Sequence, residues 1–227
     1  MRQLRPEDWP LIVWEIDGYS LEEAKEQAER LADRHVPVII QGQPMSLSET
    51  VEVHKLTVRE FHALEAFLDP DRRHELLDGR ILIMPPPGNP HSFVAFLLLQ
   101  WFLARQRPGL HPWPGGLRLN EVTEVWPDLT LLSRPPRSGP DNPLCSEATL
   151  VIEVSRTTLS YDVGDKLRAC QQAGVPEYWV ADVQGRRVLR HLAPDYRSET
   201  FAGSEMPLSP QAYPDVSIDV SALFAGS

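Results

Sequence analysis

A carboxylate set inside an apolar run constrains this chain more than any other feature. Residues 150–154 read Leu-Val-Ile-Glu-Val. Such a β-branched run favours a strand buried on both faces, and Glu153 stands within it. A buried carboxylate is costly unless it is paired, protonated or bound to a cation. The fold must therefore supply Glu153 with a partner.

The segment that follows offers one. Asp162 reads as a helix N-cap, Asp165 follows in the first turn, and Gly174 suits the position just past the helix end. At 3.6 residues per turn, Val163, Leu167, Cys170 and Ala173 share one stripe, and Lys166 falls inside it, facing the sheet. A cation in the first turn would also oppose the helix dipole, at about 0.3–1 kcal/mol. Two local rules broken at one residue mark a place to look for function. Lysine occurs only at Lys25, Lys55 and Lys166, and arginine makes up the rest of the 22 basic residues. A compact ammonium at 166 therefore reads as a choice. A purely structural Lys166–Glu153 ion pair accounts for the same residues, and both readings stand at this point.

Length and composition bound the remaining classes. At 227 residues, 42% of them hydrophobic and 24% charged, the chain has the make-up of a globular domain with room for an appendage. The opening MRQLRPEDWP lacks the apolar core of a signal peptide. The apolar stretch Phe93 to Ala104 is too short to span a bilayer and reads as a core helix. A cytoplasmic protein that does not engage membranes is the expectation. Cys145 and Cys170 show no metal-ligand spacing, and Cys170 reads as a buried thiol. The net charge of −10 opposes a broad phosphate-binding face. Residues 1–54 hold much of that excess, with 5 basic and 11 acidic side chains, and a cation held between carboxylates would offset part of the remainder.

Residues 1–54 read as a small βαβ-like extension of unknown role: a strand over 11–16, a helix capped by Ser20 and Glu23, and a second strand over 36–40. Gln41 to Ser48 reads as a linker. The main domain, 55–227, opens with a helix capped by Thr57. Glu75 follows, read either as a surface helix-end residue or as pointing inward, and Asp78-Gly79 marks a turn into the strand 81–84. His91 opens the core helix, with capping as its ordinary role. Pro112 to Gly116 reads as a turn, 117–120 as a strand, and Asp128 as the start of a strand through Leu132. Residues 133–145 form a proline-rich surface loop. The strand 177–181 pairs with 186–192 as a hairpin, and 217–224 packs a last short helix.

Two carboxylates on neighbouring strands with an ammonium nearby suit Mg²⁺-assisted phosphodiester hydrolysis, because Mg²⁺ takes carboxylate, water and phosphate oxygens. Asp128 and Glu153 form the natural ligand pair, with the Val154 carbonyl as a further oxygen. Residues from about Leu56 to Phe224 resemble the Uma-type restriction endonucleases of the PD-(D/E)xK nuclease superfamily. The matching pieces are HELLDGRILIMPPP, PHSFVAFLLLQWF, WPDLTLL, LVIEVSRTTLSYDVGDKLRACQQAGVPEYWVAD and YPDVSIDVSALF. The resemblance implies an α/β (α+β) restriction-endonuclease-like core, a mixed central sheet flanked by helices. It implies a DNA endonuclease using Mg²⁺, with Mn²⁺ as a substitute, and it allows a homodimer. Residue by residue, Asp128 matches the PD aspartate and Glu153 the (D/E) position, both as metal ligands. Glu75 matches the acidic residue that the superfamily's first helix brings to the metal. Ser155 stands where the strand lysine is expected, and Lys166 matches a lysine migrated to the following helix. The competing reading is a catalytically silent nuclease-fold module that binds nucleic acid or a protein partner, which the acidic charge favours.

Overall fold

The computed structural model describes residues 12–14, 38–40, 54–204 and 206–226. The chain divides into two units, Met1–Pro85 and Pro86–Ser227. In the first, strands β1 (Ile12–Trp14) and β2 (Val38–Ile40) pair in parallel, with Ile12 opposite Val38. Both fall within the apolar stretches expected as strands. The expected helix after Ser20, the 41–48 linker and most of the 1–54 extension lie outside the described residues.

Thr57 starts helix α1 (Val58–Leu64) through a complete capping box: its side chain accepts from the Glu60 amide, and Glu60 reaches back to the Thr57 amide at 2.8 Å. One tighter turn, Glu65–Phe67, ends it. Strands β3 (Arg73–Leu77) and β4 (Arg80–Met84) then form an antiparallel hairpin. The turn needs two left-handed residues, which Asp78 (φ 50°) and Gly79 (φ 76°) provide. Gly79 is required twice over, because a Cβ there would lie 2.5 Å from that of Lys55. Leu56, Val58, Phe61, Leu64, Leu68, Leu76 and Ile81 form this unit's core. Glu75 sits on strand β3, fully buried, rather than at a helix end. The apolar pair Leu76-Leu77 beside it extends the strand, and the helix expected there has already ended.

In the second unit helix α2 (Asn89–Leu103) buries Val94, Leu98 and Phe102, one line at four-residue spacing. Next come β5 (His111–Trp113), the hairpin of β6 (Leu117–Asn120) with β7 (Thr123–Val125), then β8 (Leu129–Leu132) and β9 (Ala148–Ser155). Strands β10 (Glu177–Asp182), β11 (Arg187–Leu192) and β12 (Ser198–Ala202) follow, and helix α4 (Val220–Leu223) is capped by Asp219. Between β9 and β10 runs helix α3, in three consecutive segments: Leu159–Tyr161, a π-helical Asp162–Lys166, and Leu167–Gln172.

One sheet has the order β12-β11-β10-β9-β8-β5. Its neighbours are antiparallel except β9 and β10, which run parallel and so need the α3 crossover. The fold is mixed α+β, as expected. Leu150, Ile152 and Val154 face the core built with α2, Trp179, Ala181 and Phe224. Gly174 (φ 74°) ends α3 with Val175 N–H on Cys170 O and Gly174 N–H on Gln171 O, both 3.0 Å, a Schellman stop.

Several elements differ from expectation. Pro112 and Trp113, the start of the expected Pro112–Gly116 turn, belong instead to the edge strand β5, a place where a proline costs no ladder bond. Strands β7 and β12 are too short and too polar to announce themselves. Asp162 lies inside α3, which starts at Leu159, so it is no N-cap and Lys166 is not in the first turn; the dipole penalty does not arise. Among the described residues no helix is long and apolar enough to cross a membrane.

The C-terminal segment is tied back by Arg107, whose Nη2 donates to Asp215 Oδ1 at 2.7 Å. That bond holds the exposed Asp215 carboxyl down at about 2. The pair's stabilisation is therefore present above the ordinary aspartate range and lost as pH falls through about 2. In an NMR titration Asp215 is expected to titrate near that value, and in Arg107→Ala to return to the ordinary range. An unchanged midpoint in the variant would contradict the assignment.

Candidate active site

Alternation along β9 puts Glu153 and Ser155 on one face and Ile152 and Val154 on the other, in the core. Leu129 of β8 lies opposite Ile152. Asp128 immediately precedes β8, next to the Leu129–Ile152 pair. The Val154 N–H donates to Asp128 Oδ2 at 2.7 Å, which fixes the aspartate at the side of β9.

Helix α3 covers this face with polar side chains. Lys166 is 0% exposed and Glu153 3%, and Lys166 Nζ lies 2.9 Å from Glu153 Oε1. The expected pair is present, yet the stripe that buries it differs from an ideal helical wheel. Asp162, Lys166 and Cys170 are the buried line, while Val163, Leu167 and Ala173 are only partly covered. The π turn has more residues per turn than an α turn, so it rotates Asp162 and Lys166 onto a common line. A wheel of 3.6 residues per turn cannot anticipate that.

Asp162 completes the polar cluster. Thr158 Oγ1 donates to its Oδ2 at 2.6 Å, and Tyr178 Oη donates to its backbone carbonyl at 2.9 Å. Burial pushes the Asp162 carboxyl above the usual range, against the Lys166 charge and the Thr158 and Ser155 hydroxyls, which pull it down. Burial first, and then the Glu153 charge, push the Tyr178 phenol well up, so it remains a donor. The Tyr161 ring lies 5.9 Å from Lys166 Nζ, within cation–π reach.

From the opposite side, the first turn of α2 brings His91 to Asp128: Nε2 to Oδ2 is 3.2 Å, with the side chains 16% and 8% exposed. The helix starts at Gly88 with no side-chain cap and with Pro90 in its first turn. A Cβ at Gly88 would come within 3.2 Å of Arg156 Nη1. His91 was legible only as a helix-opening residue. Asp162, expected as a helix N-cap, carries a signal in its four-residue spacing to Lys166; Tyr178 carries none.

Glu75 belongs to the first unit, where Arg73 Nη2 lies 4.0 Å from its Oε1. Among the described residues no three His, Cys, Asp or Glu side chains gather so as to hold a metal ion. Asp128 and Glu153 carry oxygens of the kind Mg²⁺ takes, an ion commonly held by one or two carboxylates with water and phosphate oxygens completing its shell.

Residues 58–221 match the Uma2 family, described as putative restriction endonucleases. The chain belongs to the Uma2 family. Among solved structures it is similar to one from Anabaena variabilis described as a putative nuclease of the DUF820 group, with a TM-score of 0.60 and 16% identity over 75% of this chain and 98% of that one. No curated protein matches. The structural likeness establishes the restriction-endonuclease-like fold for this Uma2 chain, and the family match extends over both described units.

Because Lys166 and Glu153 are buried together, neither can be removed alone without stranding a charge. Lys166→Met is expected to cost about 3–5 kcal/mol of stability. Adding Glu153→Gln should recover most of it, a coupling read from urea denaturation as a double-mutant cycle. Additive effects would mean that the two side chains do not depend on each other.

Proposed function

We propose that this Uma2 protein is a Mg²⁺-dependent endonuclease that hydrolyses phosphodiester bonds of DNA, with Mn²⁺ as a substitute. The observation that carries the reading is the Lys166 ammonium, buried against Glu153 at 2.9 Å, with the Asp128 carboxylate held by the N–H of the next residue, Val154. A structural pair alone would not call for a second carboxylate beside it. Family and fold support a nuclease; the metal, the DNA substrate and the residue roles are this proposal's own.

Asp128 and Glu153 would hold the cation. When bound, Mg²⁺ supplies Lewis-acid chemistry: it neutralises phosphate charge and makes a water more acidic. The Val154 N–H keeps the Asp128 carboxylate at β9. Lys166 Nζ offers a fixed positive charge to the phosphate oxygens, which gain negative charge in the transition state. Its burial means that little solvent must reorganise as that charge develops. Ser155, in the position of the superfamily's strand lysine, keeps a small hydroxyl beside Asp162 and leaves the face open to the helix-borne ammonium. Glu75 has its role from the resemblance alone, and Glu75→Gln tests it separately.

The net charge of −10 favours a second reading, a nuclease-fold module that binds nucleic acid or a protein without turnover. Plasmid cleavage in Mg²⁺ against EDTA separates the two. Asp128→Asn and Glu153→Gln are expected to abolish a Mg²⁺-dependent nicking activity, and Lys166→Met, assayed at a temperature where it stays folded, to lower it by at least about 10²-fold. Binding of the plasmid without cleavage in Mg²⁺ or Mn²⁺ would favour the module.

A further inference from the structure

We propose that His91 is a positioning residue that fixes the Asp128 carboxylate for cation binding. The inference rests on the reading of Asp128 as a cation ligand. Two donors converge on a single oxygen, Asp128 Oδ2: the Val154 N–H at 2.7 Å from strand β9, and His91 Nε2 at 3.2 Å from helix α2. Against a carboxylate oxygen the ring nitrogen is the donor. One hydrogen bond leaves a carboxylate free to turn about it. A second, arriving from a different element, removes that freedom and sets the direction of the whole group.

The surroundings of the ring argue against a merely structural histidine. Its Nδ1 is buried and has no hydrogen-bond partner among the described residues. A leucine would fill the same space without leaving a polar atom unsatisfied. Capping does not explain it either, because α2 takes Gly88 as N-cap with no side-chain cap bond. Among the described residues the ring's hydrogen bond goes to Asp128. Partners that orient a metal-binding side chain are commonly worth about 10–100-fold in metal affinity.

The test is Mn²⁺ titration calorimetry on wild type, His91→Leu, His91→Gln and Asp128→Asn, each with its melting temperature. Mg²⁺ dependence of plasmid cleavage is a second readout. His91→Leu is expected to bind Mn²⁺ about 10–100-fold more weakly and to need correspondingly more Mg²⁺ for half-maximal cleavage, while melting close to wild type. His91→Gln, which keeps an N–H donor, should recover most of the affinity. If Asp128→Asn loses Mn²⁺ but His91→Leu binds it as wild type does, the positioning role is overturned and the metal reading survives. The role is equally overturned if Gln is no better than Leu. If wild type binds no Mn²⁺, with or without a DNA oligonucleotide, the metal reading fails and the positioning role with it.

Discussion

An ammonium and a carboxylate buried together at 2.9 Å are the interaction on which the second unit's organisation depends. At 0% and 3% exposure, each charge leans heavily on the other. That requirement reaches into the backbone. Glu153 must be on the face of β9 turned away from the Ile152–Val154 core, and α3 must present its polar line to the sheet. The π turn at Asp162–Lys166 makes that presentation possible. An ideal 3.6-residue helix also turns Lys166 to the sheet, but with Val163 and Leu167 beside it; here those two are only partly covered and Asp162 is buried in line with Lys166.

The central segment was legible because its physics is local. A carboxylate in a β-branched run, a helix with one inward lysine and a glycine stop are all features of sequence pattern, and each lies where expected. Thr57 with Glu60 and Asp78-Gly79 were legible for the same reason: cap and turn chemistry involve neighbours in the chain. What escaped depends on pairing at long range. Strand β12 reads Ser-Glu-Thr-Phe-Ala and is a strand because β11 offers it an edge. Pro112 sits in a strand only because that strand is the sheet's last. Asp162 was misplaced because a side chain that opens a helix and one that faces a buried lysine look alike until the helix start is known. Of the two readings open for Glu75, the inward one holds and the helix-end one does not, because the chain forms a hairpin strand there.

The site's legibility divides the same way. Lys166 meets Glu153, and Asp128 is held by the neighbouring Val154 N–H. The Lys166–Glu153 pairing was readable from burial and helical position, whereas Asp128 joined them chiefly through the family resemblance. His91 and Tyr178 join them through contacts spanning long stretches of chain, which no local pattern encodes. Within this Uma2 fold the chemistry is thus concentrated where β8, β9, α2 and α3 meet. Asp128 and Glu153 supply hard oxygen atoms there, and Lys166 supplies a buried cation. In the proposed reaction that cation would face the charge that accumulates on the phosphodiester oxygens as the bond to water forms.

The most direct test of the account is to locate a bound cation. Crystals grown with Mn²⁺ and a short DNA oligonucleotide, measured at the manganese absorption edge, are expected to give an anomalous peak between the Asp128 and Glu153 carboxylates. Crystals holding the oligonucleotide, with Mn²⁺ in excess but no peak at that pair, would contradict it.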